Sequence, residues 1–287
     1  MQYEVIDLYK YFHQPRREAR AGKLTAYVHE KIRSQGLRRR RPAILVLPGG
    51  GYHFVSPYEA EPVALYYFQK GFNAFVLDYD VLPHTYPYTL EQAAMAMMYI
   101  RKTAQETDTL ENCVAAIGFS AGGHLLGCIS VLTDDPAIRR LFGDEWKKVR
   151  PDASVYGYAV VYDDHEGEGP VDSIDNFCNG KLDRKEYQYD DKVSSACSPA
   201  FIWTTSDDNS VPVSNSVRLY EAYVSAGVEA ELHIFREGNH GLSVCSPEVR
   251  RSTQHSDLLA HVGKWLDLSV EFLSSCGLEM QIDQPEE

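Results

Sequence analysis

At 287 residues, with 44% hydrophobic and 24% charged residues, the chain is long enough for one large α/β domain with a sizeable core. A formal net charge of −13 argues against nucleic acid and anionic membranes as partners, because both recruit positive surface. No apolar run is long enough to span a bilayer or to form the core of a signal peptide, so a cytoplasmic protein with a single domain over residues 1–287 is expected.

Six cysteines (Cys113, Cys128, Cys178, Cys197, Cys245 and Cys276) lie far apart with no C-x-x-C pair, which reads as reduced thiols rather than a disulfide framework. Residues 3–9 and 24–30 alternate as early antiparallel strands, joined by the polar stretch 14–22. Lys31, Arg33 and Arg38 to Arg41 read as a solvated basic loop. Ala43 to Leu47 is a continuous apolar run, as expected of a strand covered on both faces, and Pro48-Gly49-Gly50-Gly51-Tyr52 follows at once. Residues 58–70 predict a helix, 73–79 a buried strand and 90–103 a second helix.

The stretch from Cys113 to Leu125 organises the rest. Small and β-branched apolar residues predict a buried strand, Gly118-Phe119-Ser120-Ala121-Gly122 fits G-x-S-x-G, and 121–132 predicts a helix. Strand, sharp turn and helix make a nucleophile elbow. Its turn strains the serine backbone, and side chains at Gly118 and Gly122 would strike the neighbouring strand and helix.

Beyond the elbow, 154–161 and 200–204 predict strands, 213–226 a helix, 231–235 the last strand and 255–273 a final amphipathic helix. This alternation predicts a mostly parallel central sheet with helices on both faces. Residues 162–193 break the pattern: polar, acidic and punctuated by glycine and proline, they predict a small cap over the edge where open α/β sheets place their sites.

A serine is a poor nucleophile at neutral pH unless a base takes its proton and a carboxylate orients that base. His240 stands between glycines in a loop after the last strand, whereas His124 falls on the elbow helix, His255 and His261 fall on the final helix, and His165 lies in the cap. The acid comes from Asp207-Asp208-Asn209-Ser210-Val211-Pro212, directly after a strand, where the D-x-x-V-P spacing favours Asp208 over Asp207. An oxyanion needs at least two donors. Ala121 N–H supplies one, and Gly50 or Gly51 N–H the other. Asp163-Asp164-His165-Glu166 is the weakest candidate for chemistry, since consecutive loop residues rarely converge on one metal ion. No cofactor or metal is expected.

Taken together, Pro48 to Tyr52, Gly118 to Leu125, Asp208 to Pro212 and Gly238-Asn239-His240-Gly241 resemble the α/β-hydrolase esterases, and within them the group of acetyl xylan esterases and feruloyl-esterase-like bacterial enzymes. The resemblance covers roughly residues 40–270 and implies an α/β-hydrolase fold, a serine carboxylesterase activity and the roles of Ser120, Asp208 and His240. It departs from the commoner H-G-G-G loop at Pro48, where histidine would stand, so any loop-orienting bond from that histidine is absent. A peptidase of the prolyl-oligopeptidase type would carry a gating domain for which the chain has no room, and a silent binding module would be expected to have lost one of the three residues. The substrate expected from the resemblance, and from a cap richer in acids than bases, is an acetylated sugar or xylo-oligosaccharide met inside the cell, a small-molecule ester with a neutral alcohol. Oligomeric state is not readable from the sequence.

Overall fold

Ala43 to Leu47 are fully buried, and their side chains alternate between two cores. Leu45 and Leu47 pack with the helices Tyr88–Lys102 and Ala121–Ser130, while Ile44 and Val46 face the helices Glu61–Gln69 and Trp265–Ser275 on the opposite side. A strand with no solvent face can carry the unbroken apolar run seen here. This computed structural model describes residues 1–31, 37–162, 173–249 and 256–283.

The strands are β1 (Gln2–Asp7), β2 (Lys23–Val28), β3 (Arg38–Leu47), β4 (Asn73–Asp78), β5 (Thr109–Phe119), β6 (Ala153–Gly157), β7 (Ala200–Thr205), β8 (Ala230–Phe235) and β9 (Gln281–Asp283). They form one sheet in the order β1-β2-β4-β3-β5-β6-β7-β8, with β9 added to β3. Every pairing from β4 through β8 is parallel, whereas β1, β2 and β9 pair antiparallel. The fold is therefore a mostly parallel α/β sheet flanked by helices. The parallel strands end on a common edge, which is where a site in such a fold is assembled.

Three expectations are corrected. Arg38 to Arg41 are not a solvated loop but the first half of β3, paired with β9 in the register Arg38↔Asp283 to Arg40↔Gln281. Arg38 and Arg40 are held by Asp108 and Asp283, each at 2.6 Å. The strand expected to reach 161 stops at Gly157, because Tyr158 takes a positive φ of 36° and the chain turns across the elbow, with Val160 N–H donating to Ser120 O. The final helix is divided into Ser256–Val262 and Trp265–Ser275, with Gly263, a weak helix former, at the break. Of the segment 162–193, residues 163–172 lie outside the described residues. The remainder holds the helix Ser173–Cys178 and a 3-10 turn at Arg184–Tyr187.

Candidate active site

Ser120 sits between the end of β5 and the helix Ala121–Ser130 with φ 53° and ψ −122°, a conformation that L-residues adopt only under constraint. The constraint is backbone packed against backbone. A Cβ at Gly118 would lie 2.3 Å from Gly122 O, and one at Gly122 would lie 2.1 Å from Leu47 O and 2.4 Å from Pro48 O. Ser120 N–H is anchored to Gly157 O at 3.0 Å, and Ser120 O accepts from both His124 N–H and Val160 N–H. The turn is held on both flanks, and its side chain is aimed from the sheet edge.

Two later loops converge on that hydroxyl. His240 Nε2 is 2.9 Å from Ser120 Oγ, and His240 Nδ1 is 2.7 Å from Asp208 Oδ2. A carboxylate can only accept, so Nδ1 carries the proton and Nε2 presents its lone pair to the serine. The Asp208 side chain is 1% exposed, and its other oxygen accepts from Ser210 N–H and Val211 N–H, both at 2.9 Å. This is the physical content of the D-x-x-V spacing: the carboxylate is oriented by the backbone that follows it. Asp207 points elsewhere, accepting Gly238 N–H at 2.6 Å, and so braces the loop that carries His240.

The glycine loop after β3 lies against the same serine. A Cβ on Gly49 would come 3.0 Å from Ser120 Cβ and 2.7 Å from Phe119 O. Gly49 N–H is committed to Glu59 Oε2 at 2.7 Å, while Gly50 N–H and Gly51 N–H have no acceptor among the described residues. Ala121 N–H, at the first position of its helix, likewise has no partner one turn back. The three donors named from the sequence thus have no acceptor among the described residues.

With proline at position 48 the loop takes its restraints from elsewhere. Tyr79 donates its hydroxyl to Pro48 O, and Asn176 Nδ2 donates to Gly51 O at 2.8 Å. Tyr52 donates to His124 Nδ1 at 2.8 Å, while His124 Nε2–H donates to Tyr187 O at 2.9 Å. Burial drives the His124 pKa down to about 4, which keeps the ring neutral, with one nitrogen free to accept. His124 therefore packs beneath the loop and does not face the serine. Asn176 and Tyr187 come from the 162–193 segment, so its described part is bonded to both the loop and the elbow helix.

His261 packs on Phe235, at 5.7 Å between ring centroids. His255, His165 and the whole Asp163–Glu166 run lie outside the described residues. Sequence reasoning missed Glu59 and Tyr158. Glu59 is 3% exposed, and Tyr158 Oη donates to Glu59 Oε1 at 2.7 Å. The Tyr158 ring also packs on the His240 ring at 4.8 Å and 67°. Burial, reinforced by the Glu59 charge, holds the Tyr158 pKa well above its ordinary value, so the phenol stays a donor.

The BD-FAE family model matches residues 33–165, a span that includes the glycine loop and the elbow. An acetylxylan esterase of Xylanibacter ruminicola is 31% identical over 235 residues, which are 78% of this chain and 45% of that protein. The chain spans less than half the length of the curated relatives it matches. Among solved structures, an acetyl ester-xyloside bifunctional hydrolase from Caldicellulosiruptor lactoaceticus is 32% identical with a TM-score of 0.74, covering 90% of this chain and 89% of that one. An α/β hydrolase from a Medee basin deep-sea metagenome library is 30% identical with a TM-score of 0.73, covering 96% of this chain and 98% of that one.

Proposed function

The chain belongs to the α/β-hydrolase family, and on that premise we propose that it is a serine carboxylesterase that removes acetyl groups from a sugar or xylo-oligosaccharide through an acyl-enzyme. The observation that carries the reading is His240 placed between Ser120 Oγ and Asp208 Oδ2.

In this mechanism Ser120 Oγ attacks the acetyl carbonyl carbon as its proton passes to His240 Nε2, and the carbonyl electron pair moves onto oxygen. The backbone donors meet that oxyanion. Losing one such donor costs on the order of a hundred- to a thousandfold in rate. Asp208 keeps the proton on Nδ1 and stabilises the imidazolium that forms. Collapse of the tetrahedral species expels the alcohol oxygen, which takes the proton from His240. Water then repeats the sequence on acetyl-Ser120, releasing acetate.

The sugar half of the reading draws its support from the acetylxylan esterase and acetyl ester-xyloside hydrolase that the chain resembles. The test compares acetate, butyrate and octanoate esters of one alcohol, followed by acetylated xylo-oligosaccharides. Acetate should be the preferred acyl group and should be released from the oligosaccharide. A preference for octanoate rejects the small acyl site, and no acetate from any acetylated sugar rejects the glycan.

A further inference from the structure

We propose that Glu59 is a positioning residue of this site: its buried carboxylate holds the oxyanion-side loop through Gly49 N–H and the base-side loop through Tyr158, setting both around Ser120. The inference rests on the esterase reading. Glu59 lies in the 3-10 turn Pro57–Glu59, ten residues beyond the glycine it holds. It is 3% exposed, and no Lys or Arg pairs with it among the described residues. Removing a carboxylate from water without a counter-cation is costly, and here neutral donors are its described compensation.

Each oxygen has a separate duty. Oε2 accepts Gly49 N–H at 2.7 Å, and Oε1 accepts the Tyr158 hydroxyl at 2.7 Å. Tyr158 Oη in turn accepts Ser243 N–H at 3.1 Å, three residues beyond His240, and the Tyr158 ring lies against the imidazole. Because Gly49 N–H is turned toward Glu59, the following peptides carry Gly50 N–H and Gly51 N–H without an internal acceptor. Releasing Gly49 frees the peptide planes of its neighbours to rotate. A Cβ on Gly49 would lie 2.8 Å from Glu59 Oε2 and 3.0 Å from Ser120 Cβ, so carboxylate, loop and nucleophile are in direct succession. Glu59 does for this loop what a histidine at position 48 would otherwise be placed to do.

The test is Glu59→Gln, which keeps the volume but offers one acceptor for two donors, beside Tyr158→Phe, which leaves the Gly49 bond in place. Glu59→Asp, which keeps the charge but cannot reach both partners, serves if the glutamine variant does not fold. On protein verified as folded by near-ultraviolet dichroism, the Glu59 variant should lower kcat on an acetyl ester by about ten- to a hundredfold, with KM within about threefold of wild type. Affinity for an acetyl trifluoromethyl ketone, whose adduct carries the oxyanion, should fall by the same factor as kcat. Tyr158→Phe should lower kcat less. Hydrogen exchange of the peptide containing Gly49 to Gly51 should quicken at least about tenfold in the Glu59 variant. A folded Glu59 variant with unchanged kcat and inhibitor affinity, a loss confined to KM, or unchanged loop exchange overturns the proposal. Wild-type protein that hydrolyses no ester overturns the esterase reading, and the exchange measurement still decides whether Glu59 holds the loop.

Discussion

The two glycine-rich turns that meet at Ser120 are built on opposite principles. At the elbow, the shape is enforced by backbone packed against backbone: Gly118 and Gly122 admit no Cβ because carbonyl oxygens of Gly122 and, from the end of β3, Leu47 stand 2.3 and 2.1 Å from where it would be. At Pro48 to Tyr52, the shape is imposed by Glu59, Tyr79, His124 and Asn176, which arrive from a 3-10 turn, the end of β4, the elbow helix and the 162–193 segment. The turns also back onto each other, since the missing side chain of Gly122 is what lets the Leu47 and Pro48 carbonyls approach. The serine turn is positioned by close backbone packing. The glycine loop is instead held by hydrogen bonds with residues around it.

The largest expected effect tests whether the elbow presents the reacting group at all. Asp208→Asn should cut kcat by about 10⁴, because the amide can donate to Nδ1 and favour the wrong tautomer. Asp207→Asn should cost under about tenfold, since an amide oxygen still accepts Gly238 N–H. If Asp207→Asn proves the more damaging, the loop register is wrong by one residue.

Next is the steric side of the comparison. Gly122→Ala sets a methyl group against two backbone carbonyls that have no rotamer to change, so a loss of about 3 kcal/mol or more is expected, with Tm lowered by roughly 6 °C or more. Thermal unfolding measures it. An alanine variant as stable as wild type would show that close backbone packing is not what holds the elbow.

The smallest effect concerns the tethered loop. His124 has its pKa lowered to about 4 by burial, from an ordinary value of 6.5. With the folded pKa depressed, the unfolded chain binds more protons between those values, so the neutral ring's contribution is intact above pH 6.5 and is lost as pH falls toward 4. The loss is on the order of 2–3 kcal/mol. Denaturant unfolding across that window should show the decline, and His124→Gln should flatten it. An equal slope in both proteins would mean that His124 is not the neutral acceptor for Tyr52.

These differences also explain what the sequence could tell. Ser120, His240 and Asp208 were legible because each sits in a short motif whose geometry is local: G-x-S-x-G, a glycine-flanked histidine, and an aspartate whose own downstream amides orient it. Glu59 was not, because a glutamate near the start of a helical stretch reads as solvated, and only the fold brings it to Gly49 and Tyr158. Arg38 and Arg40 were misread because Asp108 and Asp283 lie 70 and 243 positions away. The strand ended at Gly157 rather than 161 because Ser120 claims Val160 N–H, a contact between distant segments.

The central claim is that Ser120 forms the covalent intermediate. Wild-type protein mixed with an activated acetyl ester, quenched in acid during the first turnover and digested, should yield the peptide containing Ser120 carrying one acetyl group, in proportion to the burst of released alcohol. Ser120→Ala should remain folded and give neither label nor burst. Turnover at wild-type rate by Ser120→Ala, or acetylation of a different residue in step with the burst, would contradict the account.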